Sequence, residues 1–386
     1  MTENLYTPDA ILEAFDAIEL AASPDGRKTV GYVSLNVPIE LIEAAGCVPR
    51  RLVPRLHALT PNADRYLDAC FDGATRALFE QFLNGEFVDC DLVVIPRTSE
   101  NYLQLYYYLL EAQRLEPQRA IPPLHLFDLL QTPYRASARY VRDQVERLKA
   151  RLDALSGCAT GTGALSSAVQ GANAHIAQFD ALATLRNAQP ARLSGSAALR
   201  IVGALGRMPR ARHAALLQAL FDARESLPVS DGPRIVVKGC AQEHGALYRF
   251  VEECGAVIVA DEHLGGQLAV GGAFDETLEP LDAIAHRYRL RSPSLRRYPQ
   301  AEDDARFMAA VRAACADGVI FWYEANDDVL GWDYPDQKAA LDALGVPSLR
   351  LLHQPYSEAP DATTCVEIAV FIDSLRDRAQ PEGIRQ

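Results

Sequence analysis

An α/β protein, with two parallel-sheet domains joined by a helical middle segment, is what this sequence predicts. Three observations carry that expectation. In the first and last thirds of the chain, short apolar runs alternate with helix-length amphipathic segments, the pattern of βαβ units. From Tyr134 to Arg224 strand signals nearly vanish and long helical stretches replace them. A phrase of amphipathic helix, glycine and strand occurs as I-E-A-A-G-C-V-P-R-R-L, V-E-E-C-G-A-V-I-V-A and L-D-A-L-G-V-P-S-L-R-L, the glycine serving as C-cap. The predicted units are residues 1–133, 134–230 and 231–386.

Thr29 to Leu35 reads as the first strand, and Pro38 to Ala45 as a helix with proline in its first turn and Gly46 as its stop. Leu92 to Pro96 and Pro123 to Phe127 supply further strands, their apolar and β-branched runs suiting a sheet buried on both faces. The middle is punctuated by the turn S-G-C-A-T-G-T-G at Ser156 to Gly163 and carries R-M-P-R-A-R-H from Arg207 to His213. That run suits either a grip on a phosphorylated ligand or a solvated helix start. Strands resume after Pro233 as R-I-V-V-K-G, G-A-V-I-V-A-D-E, G-V-I-F-W-Y and V-P-S-L-R-L-L.

Bulk properties narrow the function. At 386 residues the chain exceeds one ordinary core, and 49% hydrophobic with 23% charged residues suits globular domains. A formal net charge of -13 argues against a protein that tracks nucleic-acid phosphates. No apolar run is long enough to span a bilayer, and M-T-E-N-L-Y-T-P-D lacks the basic and apolar regions of a signal peptide, so a cytoplasmic location is expected. The eight cysteines are scattered singly, without a C-x-x-C pair, so neither a disulfide framework nor a zinc knuckle is suggested.

Open parallel sheets hold ligands at the carboxyl ends of their strands. That rule selects Ser34 and Asn36, then Arg97 to Asn101, then Asp261 to Gln267, then Glu324 to Asp328, with two domains turning these ends toward a shared cleft. No P-loop, G-x-S-x-G elbow or H-E-x-x-H helix is present, and G-A-L-G-R-M-P-R lacks the strand-to-helix setting of a dinucleotide site.

Several of these loops together resemble the cluster-bearing subunits of the 2-hydroxyacyl-CoA dehydratase and benzoyl-CoA reductase family. The matching phrases are G-Y-V-S-L-N-V-P-I-E-L-I-E-A-A-G-C-V-P-R-R-L from Gly31, D-L-V-V-I-P-R-T-S-E from Asp91 and V-E-E-C-G-A-V-I-V-A-D-E-H-L-G-G-Q from Val251. L-D-A-I-A-H-R-Y-R and D-G-V-I-F-W-Y-E-A-N-D-D-V-L-G-W-D-Y-P continue the likeness from Leu281 and Asp317. The resemblance implies two Rossmann- or flavodoxin-like domains holding a [4Fe-4S] cluster between them, with one cysteine from each of three loops. The first ligand position falls on Cys70. The second, a T-C-D phrase in the family, reads Thr98-Ser99-Glu100 here, and the third aligns with Asp327, with Asn326 beside it. A further family cysteine reads Ser294. Iron–sulfur clusters need soft thiolates, so a cluster on Cys70, Ser99 and Asp327 is expected to be weak or absent. Cys47 and Cys90, the nearby thiols, sit at strand starts, away from the cleft.

The family's chemistry passes an electron from an ATP-dependent activator through the cluster to an acyl-CoA thioester. The resemblance therefore implies a lyase or oxidoreductase subunit that acts on acyl-CoA with a homologous sister subunit, Ser34 and Glu40 serving the thioester. The alternative is a cluster-free homologue acting as a non-redox partner or acyl-CoA-binding subunit. A third possibility fills the cleft with acid and base groups: Glu100, Asp261, Glu262, His263, Asp327 and Asp328.

Overall fold

Strand β1, Thr29–Val33, is buried at every residue because it runs between two other strands with helices on both faces. It pairs in parallel with β2, Val48–Leu52, and with β3, Leu92–Pro96, and β3 pairs in parallel with β4, Leu124–Phe127. The second sheet repeats this plan with β5, Arg234–Gly239, β6, Val257–Glu262, β7, Gly318–Glu324, and β8, Ser348–Gln354. The orders β2-β1-β3-β4 and β6-β5-β7-β8 are the same, and every pairing is parallel, as expected of two Rossmann- or flavodoxin-like halves. The computed structural model describes residues 7–17, 26–56, 59–242, 244–292, 294, 298–327, 329–356 and 359–379.

The helices are α1, Pro8–Ala14; α2, Ile39–Ala44; α3, Gly73–Leu83; α4, Glu100–Leu115; α5, Arg135–Ser156; α6, Thr162–Asn187; α7, Gly195–Gly203; and α8, Arg210–Asp222. After them come α9, Ala246–Glu253; α10, Pro280–Leu290; α11, Gln300–Ala313; α12, Tyr334–Ala343; and α13, Ala362–Ala379. The threefold sequence echo has a backbone cause. Gly46, Gly255 and Gly345 lie at φ of 73°, 78° and 70°, the left-handed geometry that ends a helix and that glycine adopts without steric cost. Each reverses the chain directly into β2, β6 or β8.

Each sheet has an apolar cluster on both faces. Val30, Tyr32, Leu92 and Val94 meet α2, α5 and α6 on one side of the first sheet, while Val33, Val93 and Ile95 meet α3 and α4 on the other. Ile235, Val237 and Ile320 face α9 and α13, and Val236, Val319 and Phe321 face α11. Helix α10, though it follows β6, packs through Ile284 and Tyr288 against the first sheet's cluster, and Tyr288 donates its hydroxyl to the Val37 carbonyl at 2.8 Å. The middle helices form a fifth cluster with α1. Helix α6 ties this cluster to the second sheet through a buried pair, Arg186 with Asp261.

Candidate functional site

In each sheet the strand order turns around beside the first strand, between β1 and β3 and between β5 and β7. A crevice opens there at the carboxyl ends. Ser34 and Asn36 leave β1, Ser99 leaves β3, Cys240 leaves β5, and Asn326 and Asp327 leave β7. The two crevices face each other, and Asn326 makes the join: its Nδ2 donates to the carbonyl oxygens of Ala69 at 3.0 Å and Phe71 at 2.8 Å, one on each side of Cys70. Asp72 caps α3 by accepting from the Thr75 amide at 2.6 Å and also accepts from the Asn101 side chain, in the first turn of α4. The loops carrying Cys70, Ser99 and Asp327 are thereby gathered at one junction. A pocket of about 520 Å³ lies there, with Arg76, Asn326, Gln354 and Tyr356 among its walls. Gly73 is required at this contact, since a Cβ would fall 2.2 Å from Tyr356 Cβ.

The donor set does not fit an iron–sulfur cluster. Cys70 is exposed and carries the junction's one thiol among the three positions. The Ser99 hydroxyl accepts from the Tyr102 amide at 3.2 Å as N-cap of α4. The Asp327 carboxylate accepts from the amides of Val329, Leu330 and Gly331 at 3.2, 3.0 and 3.2 Å, capping the short turn that follows. Both oxygen side chains thus satisfy backbone N–H groups that would otherwise lack partners. Among the described residues no three His, Cys, Asp or Glu side chains converge as a metal site. Ser294 is buried.

Cys240 is the thiol that reading the sequence missed. It stands at the carboxyl end of β5, its sulfur accepting from the Glu324 amide at 3.4 Å, with Asp327 and Asp72 in its electrostatic surroundings. It corrects the expectation that Cys47 and Cys90 are the nearby thiols. The signal was available, because Cys240 directly follows R-I-V-V-K-G and obeys the same carboxyl-end rule. Burial, reinforced by Glu324, pushes its thiol well above the ordinary range and keeps it protonated. Burial likewise raises Cys47 and takes Cys90 up to about 11.

At the end of β1 the backbone is strained: Ser34 holds φ 63°, a left-handed conformation uncommon outside glycine. Two residues on, Asn36 is 1% exposed, and neither its Oδ1 nor its Nδ2 has a hydrogen-bond partner. Glu40 does more than open a helix. It is buried, accepts from the Tyr288 hydroxyl at 2.9 Å and pairs with Arg210 at 3.2 Å. Burial raises the carboxyl of its neighbour Glu43, which shares Arg210.

The acid/base residues do not converge. Glu100 is exposed beside Arg97. Glu262 is paired with Arg306 from α11. Asp261 is enclosed with Arg186, and the Tyr248 hydroxyl is shared with His263 at 2.6 Å. The Gly265 amide donates to His263 Nδ1, which places the ring's proton on Nε2, and burial lowers this histidine to about 4. Asp328 lies outside the described residues. The run from Arg207 to His213 is not the solvated helix start that its composition suggested: Arg210 and His213 are turned inward, and Arg207 is half-buried.

Comparison with known proteins bears on this junction. The family model described as 2-hydroxyglutaryl-CoA dehydratase, D-component, matches residues 34–375. The chain is 20% identical over 325 residues to the (R)-phenyllactyl-CoA dehydratase beta subunit of Clostridium sporogenes, covering 83% of this chain and 85% of that protein. It is 21% identical over 383 residues to the beta subunit of (R)-2-hydroxyglutaryl-CoA dehydratase from Acidaminococcus fermentans, covering 95% and 99%. No helix among the described residues is long and apolar enough to cross a membrane.

Proposed function

Since the chain belongs to the family of the 2-hydroxyglutaryl-CoA dehydratase D-component, we propose that it is a cluster-free subunit of a complex that acts on acyl-CoA thioesters. In this role it partners a homologous sister subunit that carries the electron chemistry. One observation carries the proposal: of the three positions where the resemblance places thiolates, two hold oxygen side chains already bonded to backbone amides, Ser99 as the N-cap of α4 and Asp327 in the turn after β7. Hard oxygen donors held by backbone amides are poor substitutes for sulfur at iron. An ATP-dependent activator would then dock on the sister subunit. Support for thioester binding comes from the end of β1, where Asn36 keeps an unpaired buried amide beside the strained Ser34. A thioester carbonyl could accept from Asn36 Nδ2 or from the Ser34 hydroxyl, and polar groups left unpaired in a closed site commonly await such a partner.

Anaerobic expression with iron and sulfide, alone and with a homologous subunit, tests this. The expected result is a folded, colourless chain that copurifies with the sister subunit and binds a CoA thioester. About four irons per chain with a broad visible absorption would reinstate the electron-transferring subunit.

A further inference from the structure

The two arginines that open R-M-P-R-A-R-H have different fates. Arg210 is spent on Glu40 and Glu43. Arg207 is half-buried and has no carboxylate within ion-pair distance among the described residues. It lines a slot of about 280 Å³ between the face of β1 and β2 and the helices α6 and α8. The walls are mainly apolar, from Leu35, Val37, Ile176, Phe179, Leu205 and Met208, and the exposed Arg27 and Pro209 mark where the slot meets solvent.

Inside the slot, Tyr32 is fully buried and its hydroxyl has no hydrogen-bond partner. The backbone just before Arg207 passes directly over that hydroxyl. A Cβ on Gly206 would fall 1.8 Å from Tyr32 Oη, and Gly206 holds φ 72°, so glycine is doubly required. Arg51 stands on the other side. Its amide donates to the Gly206 carbonyl at 2.9 Å, its guanidinium reaches the Leu205 carbonyl at 3.5 Å, and it too lacks a carboxylate partner among the described residues. Of the slot's own acids, Glu40 and Glu43 share Arg210, and Asp89 pairs with Arg50. His175 and His213 satisfy each other at 2.9 Å. What remains unmet is one hydroxyl, in a chamber lined by five arginines, Arg27, Arg50, Arg207, Arg210 and Arg287, against the three carboxylates of Glu40, Glu43 and Asp89.

We propose that this slot binds a free apolar carboxylate of medium length. Its carboxylate is held by Arg207 and the Tyr32 hydroxyl, and its hydrocarbon body lies among the apolar walls. Guanidinium and hydroxyl groups supply the charge-assisted bonds that a carboxylate accepts. The chamber is at the small end of ligand pockets, roughly 300–1,000 Å³, which favours a compact acid over a long-chain one. This ligand differs from the thioester above in where its charge sits: a free acid carries it at the end of the hydrocarbon body, whereas an acyl-CoA is neutral at the thioester and carries its charge on the phosphates of the CoA moiety.

Calorimetric titration of the full chain with octanoate, 1-octanol and octanoyl-CoA tests the proposal. Octanoate is expected to bind, and 1-octanol, with the same body and no charge, to bind at least about tenfold more weakly. Arg207→Ala should weaken octanoate about tenfold or more while leaving 1-octanol unchanged. Tyr32→Phe should weaken octanoate without lowering the thermal midpoint, since the lost hydroxyl has no partner in the fold. If Arg207→Ala does not fold, Ile176→Trp fills the slot instead and should abolish octanoate binding. Equal affinity for octanoate and 1-octanol overturns the proposal, as does unaltered octanoate binding in the variants or binding of octanoyl-CoA alone. None of these outcomes depends on whether the chain binds iron.

Discussion

Asn326 Nδ2 lies 2.8 Å from the carbonyl oxygen of Phe71, and this contact with its twin at Ala69 fixes the loop of Cys70 to the end of β7. A single amide side chain thus bridges the carboxyl ends of two sheets. It occupies the position next to the one where the family resemblance places a third thiolate, and it bonds the loop that carries the first.

Replacing Asn326 with alanine should take from those carbonyls their protein donor and cost about 0.5–1.5 kcal/mol, because water can reach this loop. The loop should also loosen, so Cys70 should react faster with a thiol reagent such as DTNB. An unchanged reaction rate in Asn326→Ala would show that Asn326 does not hold the loop.

Stability should fall with acid in a defined window. Burial lowers His175 to about 3 and lowers His125, His213 and His263 to about 4. Between the unfolded value near 6.5 and these folded values, the unfolded chain takes up protons that the folded chain refuses. Each histidine therefore contributes up to about 1.4 kcal/mol of lost stability per pH unit, while above pH 7 none contributes. Urea midpoints measured at pH 8, 7.5, 6 and 5 should be level across the two higher values and drop at each of the two lower ones. A flat profile down to pH 5 would mean that the four rings are not held neutral.

Asp261→Asn should be among the most damaging single changes. The Asp261 and Arg186 side chains are 0% and 3% exposed, so removing the carboxylate strands a buried guanidinium, at a cost of about 3–5 kcal/mol. A denaturation midpoint close to wild type would count against a structural role and return Asp261 to the list of cleft acids.

Gly206→Ala should destabilise through collision with Tyr32 Oη and through its left-handed backbone. Adding Tyr32→Phe removes the collision but not the backbone strain. The double variant should therefore recover part of the loss, and a thermal-melt double-mutant cycle reads that coupling. Purely additive effects would place the hydroxyl away from residue 206.

Restoring sulfur tests the junction directly. Ser99→Cys with Asp327→Cys, beside native Cys70, should raise anaerobic iron binding above wild type, with some stability lost because both caps are removed. No gain in iron would indicate that the three loops are not spaced for a cluster.

The sequence by itself determined the sheets and their turns. Leu92–Pro96 and Arg234–Gly239 are the strands that their apolar runs announced, and Gly46, Gly255 and Gly345 end helices in the left-handed geometry that only glycine adopts cheaply. These signals are local, each written within about ten residues of chain. The strand-end rule placed Ser34, Ser99 and Asp327 correctly at carboxyl ends for the same reason. Tertiary structure alone decided what those residues do. Asp327 is engaged because three amides turn toward it, Glu40 is half of a buried pair because α8 brings Arg210 across, and Arg207 ends beside Arg51 with no carboxylate at ion-pair distance among the described residues. Partners of this kind are separated by as many as 257 residues, and no local pattern encodes which side chain will arrive. Charge and hydrogen bonding act at a few ångströms, so the role of a site residue is fixed only when packing has chosen its neighbours.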